Sequence, residues 1–269
     1  MKLIIPAAGV GIRLAGSMDN PFPKLLIPLQ GRPLISHLLR IASCVGPFSD
    51  VVLILGPEYE RVTETVRDLA TGVKWTSKTT ITCIRNPKYS ETNSIYSVWL
   101  AREFLQGDVV LHDGDVLITP SAFKRLVSSA SGNDASTLID TSTPVPMEET
   151  KIRMSQDRII AFNESIASDA AKGRYVGVTR FTPTTSTLLK QQINSLVQQG
   201  DVKVYYTKAI DRLTADINLK PVWTDEASWL EIDTLEDLRA AGNRARQIID
   251  EIRSENQGTP ANFVVRVDS

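Results

Sequence analysis

Ile4-Ile5-Pro6-Ala7-Ala8-Gly9-Val10-Gly11-Ile12-Arg13-Leu14, followed by Pro23-Lys24, is the stretch on which the reading of this chain turns. The apolar run ending at Pro6 reads as a buried strand, and the glycines behind it let backbone amides turn inward without a Cβ in the way. Such a loop can cradle phosphates. Arg13 and Lys24 place two cations around the same turn, because a guanidinium forks onto phosphate oxygens and an ammonium acts as a point charge. The third glycine of a dinucleotide-binding fingerprint is absent, as is the Gly-Lys-Ser/Thr ending of a Walker loop. The expected ligand is a nucleoside triphosphate, against the plainer alternative of an ordinary glycine turn with both cations solvated.

At 269 residues the chain is long enough to bury the core of one sizeable α/β domain. Its formal charge of −1 and lack of a basic tract give no electrostatic footprint for nucleic acid. Cys44 and Cys83 fit no paired metal or redox spacing and read as buried thiols in a reducing compartment. The apolar start is short, contains Pro6 and runs into the glycine loop, so it is not read as a signal peptide. No segment approaches the ~20 consecutive apolar residues of a membrane helix. A cytoplasmic protein without membrane insertion is expected, and a homodimer is the base-rate assembly.

The first half alternates apolar runs with helical patterns, the sequence form of βαβ units and a mostly parallel sheet. Strands are expected at Lys2–Pro6, Val51–Leu55, Thr80–Ile84 and Val109–Leu111. Helices are expected after Pro33 (Leu34, Leu38, Ile41, Ala42), along Tyr59, Val62, Val66 and Leu69, and along Ile95, Val98, Trp99 and Leu105 with Thr92 or Asn93 as cap. Beyond about residue 132 strand segments dominate, at 136–139, 150–154, 158–162 and 174–181, and form an acceptor-side lobe over about 132–215. Leu188–Val197 reads as helix and Lys220–Trp223 as strand. A closing helix begins with the capping pair Thr234 and Asp237 and carries the stripe Leu235, Leu238, Ala241, Ala245, Ile248 and Ile252. The expected division is one domain over 1–253 and a C-terminal tail over 254–269, in which Phe263-Val264-Val265 could still dock.

Asp113-Gly114-Asp115 falls at the end of a buried strand, the edge at which open α/β sheets bind ligands. Glu231-Ile232-Asp233 repeats the alternation just before a helix. These four acids could converge, and Mg²⁺ asks for one or two carboxylates with water and phosphate oxygens completing its shell. Read singly, Asp113 and Glu231 serve equally well as turn acids or caps.

The glycine loop with Arg13 and Pro23-Lys24 resembles the Ala-Ala-Gly-x-Gly-x-Arg-Leu…Pro-Lys signature of the sugar-phosphate nucleotidyltransferase superfamily. Gly114-Asp115-Val116 and Glu231-Ile232-Asp233-Thr234 look like its two metal segments. Asn86-Pro87-Lys88-Tyr89, with Thr92-Asn93-Ser94-Ile95-Tyr96-Ser97, is most similar to the choline-phosphate, 2-aminoethylphosphonate and inositol-phosphate cytidylyltransferases. Two departures are visible: relatives often carry Asn-Asn where this chain has Asn93-Ser94, and a lysine commonly follows the strand ending here in Phe162-Asn163-Glu164. Lys151 or Arg153 could take over that lysine's part.

The resemblance implies an α/β, Rossmann-like fold with a mixed, mostly parallel central sheet flanked by helices and a small β-rich acceptor-side lobe. It implies transfer of CMP from CTP to a phospho-alcohol or alkylphosphonate, such as phosphocholine or 2-aminoethylphosphonate, with release of pyrophosphate. Ala7, Ala8, Gly9 and Gly11 would then donate to the nucleotide, Arg13 and Lys24 would act on the phosphates, and Thr92, Ser94 and Asp113 would complete the nucleotide site. Mg²⁺ would rest on Asp115 and Asp233, with Glu231 as a further ligand. Because the acceptor oxyanion is already nucleophilic, positioning and charge neutralisation suffice. No general base is needed, so His37 is read as a surface or boundary residue and His112 as strand-end filler. Asp140, Glu149, Lys151, Tyr175, Tyr206 and Asp211 are the candidate acceptor contacts, through charge or cation–π contact. Other readings are a sugar-1-phosphate nucleotidyltransferase using UTP, GTP or dTTP, and a non-catalytic nucleotide-binding regulator on the same fold.

Overall fold

The computed structural model describes residues 1–15, 21–129, 132, 134–142, 145–255 and 263–267. Its strands over the first half are β1 (Lys2–Ala7), β2 (Pro28–Leu29), β3 (Arg32–Pro33), β4 (Asp50–Leu55), β5 (Thr79–Arg85), β6 (Val109–His112) and β7 (Val116–Ile118). The second half adds β8 (Asp134–Asp140), β9 (Lys151–Ser155), β10 (Arg158–Asn163), β11 (Arg174–Phe181), β12 (Asn218–Thr224), β13 (Trp229–Glu231) and β14 (Phe263–Val267). The helices are α1 (Ile12–Ala15), α2 (Leu34–Val45), α3 (Tyr59–Thr71), α4 (Ser94–Leu100), α5 (Pro120–Ser129), α6 (Pro183–Gln198), α7 (Thr207–Leu213), α8 (Leu235–Ala240) and α9 (Gly242–Glu255).

One mixed sheet organises the chain, in the order β10-β9-β11-β6-β1-β4-β5-β14, with β8 joining β11 and β12 joining β8. β6, β1, β4, β5 and β14 run parallel, whereas β11 pairs antiparallel with both β6 and β8. The β-rich lobe is therefore an extension of the central sheet. Alternation along β1 fills both faces: Leu3 and Ile5 join the core beneath α2, α3, α5 and α9, and Ile4 joins the core beneath α4, α6 and α7. Helices on both faces follow from central runs such as residues 3–5 and 51–55, which are apolar and buried on both faces of the sheet.

Several elements depart from expectation. The closing helix is two helices, because the chain breaks at Gly242, whose φ is +23°. That break puts Leu235 out of phase with the stripe, and it is 47% exposed. α5, α7 and the short β7 and β13 were not anticipated. Phe263–Val267 adds a parallel edge strand to β5, in register from Phe263 opposite Thr79 to Val267 opposite Cys83. The rest of the expected tail beyond Glu255 lies outside the described residues. His37 is wholly buried in α2 instead of at a boundary, and its Nε2–H donates to Leu29 O at 2.9 Å.

Asp140, a candidate acceptor contact, is consumed by the fold. Its Oδ2 accepts from Arg174 Nε and Nη2 at 3.0 and 2.9 Å and from the Trp229 indole at 3.1 Å, while Oδ1 takes the Ser142 amide and hydroxyl. Burial alone would raise its pKa, but the Ser142 and Arg174 donors hold it below the ordinary aspartate value. One carboxylate thus ties together β8, β11 and β13. Asp140→Ala leaves the Arg174 charge without its buried partner and is expected to cost about 3 kcal/mol of stability. A urea titration should show a lower midpoint at unchanged slope.

Candidate active site

β1 lies between β4 and β6, so the chain leaves the sheet to opposite sides around its carboxyl end, and a crevice opens there. The glycine loop after β1 and Asp113-Gly114-Asp115 after β6 form its floor. They touch: Gly114 N donates to Pro6 O at 3.3 Å, and a Cβ on Gly114 would stand 2.6 Å from Ala7 Cβ. A cleft of about 410 Å³ lies above them, and the residues expected at the nucleotide, Ala7, Ala8, Gly9, Thr92 and Ser94, line it together with Asn86. Gly11 does not line it. Its φ of +59°, beside the Phe22 carbonyl, gives it the task of turning the loop.

Two acids 118 positions apart in sequence meet because β7 and β13 pair antiparallel, with Glu231 opposite Val116. Ile232 N then donates to Asp115 O at 3.0 Å. The next residue, Asp233, is fixed by the cap of α8: Asp237 Oδ2 accepts the Asp233 and Thr234 amides at 3.0 and 2.7 Å, and Thr234 Oγ1 accepts the Asp237 amide at 3.1 Å. Lys24 enters from a 3₁₀ turn pinned by the buried Leu25. Its Nζ donates to Asp115 Oδ2 at 2.7 Å and also to Asp233 Oδ1. Arg13 pairs with the other oxygen of Asp233. Burial works against the Lys24 charge, but Asp115 and then Asp233 outweigh it and hold its pKa above the ordinary lysine value.

Around this cluster acids predominate. Asp113, Asp115, Glu148, Glu149, Glu164, Glu231 and Asp233 line the cleft, against the cations Arg13 and Lys24. Burial first, and Asp115 second, push Asp113 up to about 8. Burial, with Asp115 and Glu149 next, likewise holds Glu231 well above the ordinary glutamate value. Excess negative charge of this kind is what a divalent cation relieves, and the Asp115 and Asp233 pair matches the one or two carboxylates that Mg²⁺ takes. No group of three or more His, Cys, Asp and Glu side chains in a metal-holding arrangement occurs among the described residues. Glu231 lines the cleft beside this pair.

On the acceptor side, residue type and role diverge. Lys151 is wholly buried, its ammonium donating to the carbonyls of Met147 and Glu149 at 2.6 and 3.0 Å, and so shapes the loop that presents Glu148 and Glu149. Arg153 is exposed and does not line the cleft. Asp211 accepts the Phe162 amide at 2.6 Å and the Asn163 side chain at 3.3 Å, joining α7 to β10. Tyr175 and Tyr206 border the cleft but are only 7% and 1% exposed. Tyr206 Oη donates to Asp113 Oδ1 at 2.8 Å and lies 2.8 Å from Tyr175 Oη, so both hydroxyls are spent on orienting that acid. Ser94 Oγ accepts the Tyr206 amide at 3.1 Å. Tyr205, 52% exposed, and Glu148, Thr150, Glu164 and Thr207 line the cleft without having been foreseen. The doublets Glu148-Glu149 and Tyr205-Tyr206 were visible in sequence, but which member faces outward was not. His112 is buried, bonded through Nδ1 to Asp113 O at 2.8 Å and pushed by burial to a pKa of about 4.

Residues 3–147 match the MobA-like NTP transferase domain. The CMP-5'-(3-aminopropyl)phosphonate synthase of Streptomyces rubellomurinus is 37% identical over 160 residues, 60% of this chain and 24% of that protein. The choline-phosphate cytidylyltransferase of Streptococcus pneumoniae is 23% identical over 244 residues, covering 89% of this chain and 96% of that one. Aligned segments thus span about a quarter of the first of these curated relatives and nearly all of the second. The inositol-1-phosphate CTP transferase structure from T. maritima superposes with a TM-score of 0.71 at 21% identity, over 97% of this chain and 98% of that one. UDP-glucose pyrophosphorylase has the same fold, with a TM-score of 0.70 at 15% identity over 91% and 98% of the two chains, so fold alone does not choose the nucleotide.

The raised pKa values predict how the free protein responds to pH. An acid whose folded pKa exceeds its unfolded value binds its proton more tightly when folded, so stability declines as pH rises from the ordinary carboxylate range toward the folded pKa. Glu231 and Asp113 place that decline between about pH 4 and pH 8. Thermal unfolding at pH 5 and pH 8 should show a smaller difference in Glu231→Gln than in the wild type.

Proposed function

Because the chain belongs to the MobA-like NTP transferase family, we propose that it transfers CMP from CTP to a small acceptor bearing a phosphonate or phosphate at one end and a cationic amine at the other. 2-Aminoethylphosphonate and related aminoalkylphosphonates head the list of acceptors, followed by phosphocholine. The observation that carries this reading is the acid-lined acceptor side of the cleft, where Glu148, Glu149 and Glu164 stand with the exposed ring of Tyr205. Carboxylates and an aromatic face suit an ammonium group and repel a second anion. The similarity to an aminopropylphosphonate-handling synthase supports the same class.

In the proposed reaction an acceptor oxygen attacks the α-phosphorus of CTP. The new O–P bond forms as the bond to the β-phosphate oxygen breaks, and pyrophosphate leaves with the electron pair. Amides of Ala7, Ala8 and Gly9 would receive the triphosphate, while Arg13 and Lys24 would neutralise charge on the leaving group and the reacting phosphoryl group. Asp115 and Asp233 would hold Mg²⁺, which when bound supplies charge stabilisation at phosphoryl oxygens. Asn86 builds the nucleoside side: its Nδ2 donates to Ser97 and Thr92 at 3.1 and 3.3 Å, and its Oδ1 accepts the Lys88 amide at 2.9 Å. The proposal places the reaction in the cytoplasm, where CTP is available.

Pyrophosphate release measured with CTP, UTP, GTP and dTTP against aminoalkylphosphonates, phosphocholine, inositol phosphate and glucose-1-phosphate tests the assignment. CTP with an amine-bearing acceptor is expected; turnover confined to UTP or dTTP with a sugar phosphate overturns it. Tight CTP binding without turnover on any acceptor would mark a regulator instead. Asp115→Asn should keep the thermal unfolding profile yet lower kcat by about two orders of magnitude or more, since metal stabilisation is worth several kcal/mol. Glu149→Gln should raise KM for the amine-bearing acceptor about tenfold with little change in KM for CTP.

A further inference from the structure

A second cavity of about 180 Å³ opens between the β2–β3 hairpin, α2 and α9. Arg32 from β3, His37 and Arg40 from α2, and Ile249, Ile252 and Arg253 from α9 line it. None of these residues borders the nucleotide cleft. Three arginines from three separate elements therefore line one small hollow. They oppose one another: the Arg40 pKa is pushed down by burial, then by Arg32 and by Arg253. Burial pushes His37 down as well, its bond to Leu29 works the other way, and the same three arginines add to the fall. His37 thus forms a floor whose Nε2–H is committed to Leu29 O, with the exposed Arg32 and Arg253 side chains at the rim. Among the described residues none of the side chains lining the hollow is acidic. Arg253 Nη1 pairs with Asp250 at 3.0 Å, and among the described residues Arg32 has no ion pair.

We propose that this pocket is a binding site for a small phosphoryl anion, separate from the nucleotide cleft, held by Arg32, Arg40 and Arg253. Arginines supplied by three separate elements suit a phosphate, whose oxygens accept the paired N–H donors of a guanidinium. An anion also removes the mutual repulsion that the free protein bears there. The cavity holds a phosphate group but not a nucleotide, so its ligand is inorganic phosphate or the phosphate end of a small ester.

Calorimetric titration with inorganic phosphate tests the site, using Arg13→Gln to remove any contribution from the nucleotide cleft. Binding is expected to persist in Arg13→Gln, to weaken about tenfold in Arg32→Gln, and to vanish in the Arg32→Gln/Arg253→Gln double variant. Both side chains are exposed, and matching unfolding curves in phosphate-free buffer establish that the variants fold. Methyl phosphate in place of inorganic phosphate should compete for the same site. No phosphate uptake by the wild type, affinity unchanged in the double variant, or binding lost in Arg13→Gln alone would each overturn the proposal.

Discussion

Two carboxylates in the cleft meet on one ammonium group. Lys24 Nζ is shared by Asp115 and Asp233, and those three residues arrive from a 3₁₀ turn, the end of the β6 segment and the cap of α8. Desolvating three charges costs more than their attraction commonly returns, so a cluster of this kind is poor economy as a stabilising device. Its value lies in placement. The backbone bond from Ile232 to Asp115 and the capping box at Thr234 fix both carboxylates before any charge interaction is counted, and Leu25 anchors the lysine from below. The charges are therefore held by apolar packing and backbone pairing, not by each other.

That arrangement leaves the cleft short of positive charge. Asp113 and Glu231 respond by retaining protons at pH values where solvated carboxylates have lost them. A ligand bringing divalent cations or an ammonium group meets a surface already prepared for it, since each arriving positive charge also releases the strain between neighbouring acids. The same electrostatics disfavour a second polyanion on the acceptor side, where Glu148, Glu149 and Glu164 lie.

The parallel half of the fold was legible because its strands are continuous apolar runs punctuated by helices with a clear 3.6 period; Asp50–Leu55 and Tyr59–Thr71 fall within a residue or two of expectation. The glycine loop was legible through chemistry, since Gly-x-Gly with an arginine and a Pro-Lys has few other uses. β7 and β13 escaped notice because three-residue strands carry no periodicity, although their pairing is what brings Asp115 and Asp233 together. The split between α8 and α9 escaped because an apolar stripe continues through Gly242 at nearly helical spacing.

Of the candidate acceptor contacts, Glu149, Tyr175 and Tyr206 border the cleft while Asp140, Lys151 and Asp211 do not, for a physical reason. A buried polar side chain must satisfy its own hydrogen bonds, and Asp140, Lys151 and Asp211 do so within the fold. Tyr206 bonds Asp113 and sits beside Tyr175, whose hydroxyl also accepts from Thr179 at 3.4 Å, and Thr179 Oγ1 in turn lies 2.9 Å from Thr137. This buried chain crosses from the β8–β11 pairing to the floor of the cleft, at the irregular register beside Gly177. A Cβ at Gly177 would come within 2.9 Å of Asp113 Oδ2, and its φ of +89° bars a side chain on backbone grounds as well. Asp113, at the floor of the cleft, is thus positioned by residues that are almost wholly buried. The exposed part of this side of the cleft is lined by the loop residues Glu148, Glu149, Glu164 and Tyr205, whose direction no sequence period encodes.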